Sequence, residues 1–254
     1  MFNLNGKYIL ISGGAGLIGS NIAIAISKAG ATPIIADINK SSLLLISDKL
    51  KGKKHLCIES DLSNEKGIKD CIGEALRSCP MIHSVVHAAY PRSEGWGNHL
   101  EDLNEKNLSA DLQSQLGAAI ILSKQVINHF IKAGGGHLIH ISSIQGVMAP
   151  KFNHYKGTDM TSPIEYSAIK AGIISITRWL AKAYRNQNIR VNCISPGGIE
   201  DNQPISFLNA YREDCTNIGM LKPQDITDLV LYLLSDNSRA INGQNIIIDD
   251  GWTL

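Results

Sequence analysis

Short runs of aliphatic and β-branched residues alternate along the chain with longer segments whose apolar positions recur every three or four residues. The short runs predict strands near 7–12 (KYILIS), 33–37 (PIIAD), 54–58 (KHLCI), 82–87 (IHSVVH), 137–142 (HLIHIS), 189–194 (IRVNCI) and 245–249 (NIIID). The longer segments predict helices near 17–29, 40–51, 64–78, 107–132, 164–186 and 224–235, with Pro223 as a first-turn proline and a shorter helix from Ile205 to Asp214. Strand followed by helix, repeated, is the pattern of an α/β fold with a parallel sheet of about seven strands and helices on both faces. No repeat, low-complexity stretch or linker interrupts it, so residues 1–254 read as a single doubly wound domain. In such a sheet ligands bind beyond the carboxyl ends of the strands, which singles out the segments 88–106, 143–163 and 195–222 as walls of a site.

Composition narrows the partners. A net charge of +1, with no block of like charge, gives no footing for nucleic acid or an anionic membrane surface. The only apolar run near the N-terminus, Tyr8–Ile11, is too short for a signal peptide or a membrane anchor. Cys57, Cys71, Cys79, Cys193 and Cys215 are odd in number and lack C-x-x-C spacing, which points to a reducing, cytoplasmic setting, and with the histidines they form no metal set. The expected partner is a small polar substrate.

The first predicted strand runs into Ser12-Gly13-Gly14-Ala15-Gly16-Leu17-Ile18-Gly19 and then into an apolar-periodic helix. Gly13, Gly16 and Gly19 permit a tight turn, close approach of a pyrophosphate to backbone N–H groups around Leu17 and Ile18, and tight packing of helix on sheet. Asp37 ends the second predicted strand about 20 residues further on, where a carboxylate accepts from ribose hydroxyls and repels a 2′-phosphate. No lysine or arginine lies in the glycine loop, so the predicted cofactor is NAD rather than NADP, with Lys40 the one nearby cation.

Tyr166 and Lys170, in Tyr-Ser-Ala-Ile-Lys, stand at i and i+4 on one face of a predicted helix. A free phenol ionises near pH 10, roughly three units too high for a base at neutrality, and an ammonium one turn away favours the phenolate. Ser143, just past the fifth predicted strand, can hold a reacting oxygen. With Ile141-Ser142-Ser143, Arg190-Val191-Asn192-Cys193-Ile194-Ser195-Pro196-Gly197 and the C-terminal Ile241-Asn242-Gly243-Gln244 and Asp249-Asp250-Gly251, these motifs resemble a Rossmann-like short-chain dehydrogenase/reductase of the compact type from Lys7 to Gly251. The resemblance implies that Tyr166 is the general acid/base, that Lys170 lowers its pKa and binds the nicotinamide ribose, and that Ser143 orients the substrate oxygen. It implies cofactor contacts from Asp61 and Leu62 at the adenine, from Ala88 and Ala89, and from Pro196 and Ile199 at the carboxamide. It also implies a dimer or tetramer built on the helices at 107–132 and 164–186, with Ala118–Leu122 and Trp252-Thr253-Leu254 as apolar contributors.

The chain departs from that pattern in several places. The spacing of Gly16 and Gly19, and Val86-His87-Ala88-Ala89-Tyr90 where Asn-Asn-Ala-Gly is usual, are closer to the longer, nucleotide-sugar branch. Gln115 stands where the family's relay asparagine is expected, making it a candidate catalytic residue. The stretch 144–163 is an insertion at the mouth of the site, and 198–222 is a short polar substrate loop. Gln145, Arg92 and His154 are the candidate substrate contacts, with Lys151, Tyr155 and Lys156 nearby, and their charges suit a phosphorylated or acidic sugar. The run Ser142–Gln145, the insertion with Thr161-Ser162-Pro163, and Ser195–Gly198 followed by Asp201-Asn202-Gln203-Pro204 resemble bacterial flagellin-modification dehydrogenases of the legionaminic-acid type. The expected activity is NAD-dependent hydride transfer on a polar, sugar-derived hydroxyl or ketone. A redox-neutral epimerase or dehydratase with retained NAD and a non-catalytic NAD-binding module remain as alternatives.

Overall fold

The computed structural model describes residues 2–254. Seven strands, β1 (Tyr8–Ser12), β2 (Thr32–Asp37), β3 (Leu56–Glu59), β4 (Ser84–His87), β5 (Gly136–Ile141), β6 (Ile189–Pro196) and β7 (Asn245–Ile248), form one sheet in the order β3-β2-β1-β4-β5-β6-β7. All pairings are parallel. The helices are α1 (Leu17–Lys28), α2 (Lys40–Lys49), α3 (Glu65–Ser78), α4 (Glu105–Asp111), α5 (Ala118–Ala133), α6 (Ile164–Ala183), α7 (Ile205–Glu213) and α8 (Pro223–Leu234).

Alternating strand residues serve two cores. Ile9, Ile11, Ile35, Val86 and Ile139 pack with α1, α2 and α8, while Leu10, Ile34, Val85 and Leu138 pack with α3, α5 and the end of α6. A period-two side-chain pattern buried on both sides is what reads in the sequence as a continuous apolar run. The order reverses between β1 and β4, so the loops leaving these two strands diverge and open a crevice at their carboxyl ends.

The single helix expected over 107–132 is instead α4, a π-helical segment at Leu112–Gly117, and α5. The insertion 144–163 contains two 3-10 turns, Ile144–Gly146 and Phe152–Tyr155. It packs against α7 and the C-terminal tail through Ile144, Phe207, Tyr211, Met220 and Trp252, with Tyr155 at the edge of that cluster.

Candidate active site

A cavity of about 780 Å³ runs across the carboxyl ends of the strands. Gly13, Gly16, Leu17, Ile18 and Gly19 form one end. Gly13 has φ +65°, and a Cβ there would lie 2.7 Å from Ala89 Cα; a Cβ on Gly19 would lie 2.1 Å from the Gly13 carbonyl oxygen. Only glycine lets the turn fold this tightly and α1 start against it. Gly16 caps α1 with no side-chain cap and no acidic residue in the first turn, leaving the helix N–H groups directed at the cavity.

Asp37 lies beside this turn. Its Oδ2 accepts from Ala15 N at 3.0 Å and its Oδ1 from Asn39 N at 3.0 Å, which fixes the carboxylate while leaving lone pairs for a diol. Lys40 is drawn to Glu59 at 3.7 Å, so the nearby cation is partnered by a second acid. Asp61 lines the cavity and also shapes its own turn, accepting from Ser63 N at 3.0 Å and Asn64 Nδ2 at 2.7 Å. The side-chain cap of α3 is Asn64. Leu62, Ala88, Ala89 and Ile199 line the same wall. Pro196 does not: it is buried at the end of β6, paired with Ile248, and Gly197 and Gly198 take the expected place at the wall.

Ser143, Tyr166 and Lys170 meet at the other end. Ser143 Oγ accepts from Gln145 N at 3.2 Å and stands on the same wall as the Tyr166 phenol. Burial pushes the Tyr166 pKa up, and the Ser143 hydroxyl opposes the rise. Lys170 Nζ lies 5.3 Å from the Tyr166 ring centroid; burial lowers its own pKa to about 8, and Nζ donates to Ile141 O at 3.3 Å. Behind Lys170 lie His87 and His140, in edge-to-face contact with ring centroids 5.5 Å apart. Burial, together with the Lys170 charge, keeps both imidazoles neutral.

Gln115 is not brought to the cavity. It lies in the π-helical segment, 3% exposed, with its Nε2 unpartnered, because the wider turn directs this position into the interior. His154 lines the cavity, but its Nε2 is held by Asp214 Oδ2 at 2.5 Å and its ring by Phe207, Tyr211 and Trp252, so it supports the wall rather than offering a free donor to substrate. Lys151 is likewise engaged, with Asp214 at 3.0 Å and the Trp252 ring at 4.7 Å. Trp252 is 3% exposed and therefore unavailable to a subunit interface.

Gln145 and Arg92 do face the cavity. Gln145 Oε1 accepts from Ser162 Oγ at 2.8 Å, which orients the amide, and Arg92 Cζ lies 5.5 Å from the Tyr90 ring centroid. Tyr90, Trp96, Tyr155 and Tyr211 also line the wall. They come from segments far apart in the chain; Tyr90, in a motif departing from the usual pattern, and Tyr155, in the insertion, carried a sequence signal, whereas Trp96 and Tyr211 did not. Among the described residues no group of His, Cys, Asp or Glu is placed to hold a metal. No described helix is long and apolar enough to cross a membrane.

Comparison with known proteins agrees with this architecture. A family model described as enoyl-(acyl carrier protein) reductase matches residues 14–253. A post-translational flagellin modification protein A from Campylobacter coli is 37% identical over 99% of this chain and 100% of its own length. A 3-oxoacyl-acyl-carrier-protein reductase from Thermotoga maritima is 29% identical, covering 98% of each chain. A short chain dehydrogenase from Leptospira borgpetersenii, solved with bound NAD+, superposes with a TM-score of 0.89 at 29% identity, covering 99% of this chain and 94% of that one.

Proposed function

The chain belongs to the short-chain dehydrogenase/reductase family, and on that premise we propose that it transfers a hydride between NAD and a hydroxyl or ketone of a polar, sugar-derived metabolite with an acidic group, in the assembly of a surface glycan. The observation that carries the reading is one cavity that holds the glycine loop and Asp37 at one end and Ser143, Tyr166 and Lys170 at the other. The glycine cradle, the uncapped start of α1 and the fixed Asp37 carboxylate fit a dinucleotide without a 2′-phosphate. Bound there, NAD supplies the nicotinamide carbon that accepts or returns the hydride.

In the oxidative direction Tyr166 Oη takes the hydroxyl proton, and Ser143 Oγ donates to the same substrate oxygen. Lys170 gives the phenolate a nearby positive charge and a donor for the nicotinamide ribose. Arg92 and Gln145 provide a charged fork and an oriented amide for substrate groups beyond the reacting carbon. The flagellin-modification relative supports the glycan context. In the cell the protein acts in the cytoplasm as a dimer or tetramer packed on α5 and α6, where Trp179, Ile120 and Ile131 are 64%, 48% and 44% exposed. Light scattering that returns a monomer would remove that assembly.

The direct test supplies NAD and fractionated polar metabolites to the enzyme and to Tyr166→Phe, reading NADH absorbance and analysing active fractions by mass spectrometry. The expected result is NADH formation with a product lighter by two hydrogens, reduced at least about 100-fold in Tyr166→Phe while NADH still binds. Turnover that survives in Tyr166→Phe would refute the assignment.

A further inference from the structure

Lys170 is a buried cation without an acid. Among the described residues no carboxylate pairs with it. The ionisable side chains that face it are His87 on β4, His140 on β5, Cys193 on β6, Tyr166 on its own helix and Tyr90 from the loop after β4. Burial holds the two histidines neutral and raises the Cys193 thiol to about 12, so none of these three supplies negative charge at neutral pH. What the ammonium has is the Ile141 carbonyl at 3.3 Å and two aromatic rings, Tyr90 and Tyr166, each with its centroid 5.3 Å from Nζ.

Tyr90 is itself held in place. Its ring meets Tyr166 at 5.7 Å and Trp96 at 5.4 Å, and Trp96 closes the group by meeting Tyr166 at 5.9 Å, all edge to face. We propose that Tyr90 is a positioning residue for the acid–base pair: its π face holds the Lys170 ammonium beside Tyr166, and with Trp96 it fixes the plane of the Tyr166 phenol. The electrostatic attraction between a cation and the ring quadrupole, strongest where water is excluded, supplies part of what a carboxylate would otherwise supply. The same Tyr90 ring carries Arg92, so the residue joins the catalytic end of the cavity to the arm proposed to meet the substrate's acidic group. Its significance for catalysis rests on the reading of Tyr166 and Lys170 given above, but its test does not need turnover.

The test is pulse acetylation with acetic anhydride across a pH series, with peptide mass spectrometry following Lys170 relative to exposed Lys28 and with NADH protection as the control for the site. Tyr90→Phe keeps the ring face and Tyr90→Leu removes it; Tyr90→Met, which fills similar space without a π face, replaces Tyr90→Leu if that variant fails to accumulate folded. Loss of the ring face is expected to lower the midpoint of Lys170 ionisation by about half a pH unit or more, making Lys170 more reactive near neutrality. Tyr90→Phe should match the parent. Identical profiles in all variants, or a shift in Tyr90→Phe equal to that in Tyr90→Leu or Tyr90→Met, overturns the proposal. Failure of hydride transfer with the labelling result intact would instead count against the proposed function.

Discussion

Lys170 shows what it costs to bury a charged side chain in the cavity proposed as the active site. An unfolded lysine keeps its proton to about pH 10.5, whereas burial lets the folded protein release it near 8. Between these values the unfolded chain binds more protons, so folding stability rises with pH, and the full penalty is present below about pH 8. The gap between about 8 and 10.5 corresponds to up to about 3 kcal/mol. Lys170→Met, which keeps the apolar stem and removes the charge, is therefore expected to raise the melting temperature at pH 7. The gain should shrink across pH 8 to 10.5 and vanish at the upper end, as read by thermal denaturation at each pH. A gain that does not depend on pH would mean that the charge is not the source of the cost. Burial acts on Tyr166 in the same cavity: it raises the pKa of the phenol, and the Ser143 hydroxyl opposes the rise.

At the level of elements, the two segments that roof the substrate end are joined by one carboxylate. Asp214, at the end of α7, binds Lys151 and His154 of the insertion, and both neighbours hold its carboxyl below the usual range. That contribution is present above the ordinary carboxylate pKa of 3.8 and is lost as the pH falls through the lowered value. Asp214→Ala leaves buried His154 without its partner, with an expected loss of about 1–3 kcal/mol. Faster hydrogen exchange is expected in 151–156 and 205–214 with β1, β4 and β5 unchanged; uniform exchange across the chain would contradict this local role. Such a contact was not legible in the sequence, because 60 positions separate His154 from Asp214; His154 read as a candidate substrate contact and Asp214 only as the end of a helix. The strands and α1, α6 and α8 were legible, since their apolar period is imposed by burial on a sheet. The π-helical segment was not: one wider turn leaves the apolar residues of 107–132 looking like a single helix, yet it determines where Gln115 points. The glycine loop, Asp37 and the Tyr166–Lys170 spacing were legible because each is local, whereas the Tyr90–Trp96–Tyr166 grouping depends on how a long loop folds back over α6.

For the molecule as a whole, the cavity spans the divergence between β1 and β4, so a dinucleotide filling it would contact loops from both halves of the sheet. A ligand that binds only the folded chain stabilises it by about 2.7 kcal/mol at 100 times its dissociation constant. For a chain of this size that corresponds to a rise of about 5–10 °C in melting temperature. NADH at saturation is expected to give a shift of this order. NADPH at the same concentration should give a smaller one, because its 2′-phosphate meets the fixed Asp37 carboxylate, and the nearby Lys40 charge is already drawn toward Glu59. Asp37→Ala separates charge from shape: removing the carboxylate should weaken the NADH shift by removing the diol acceptor and narrow its lead over NADPH by removing the repulsion. If NADPH stabilises the parent protein more than NADH, the assignment of NAD fails. If Asp37→Ala leaves both shifts unchanged, the cofactor lies elsewhere in the cavity than the glycine loop and Asp37 imply.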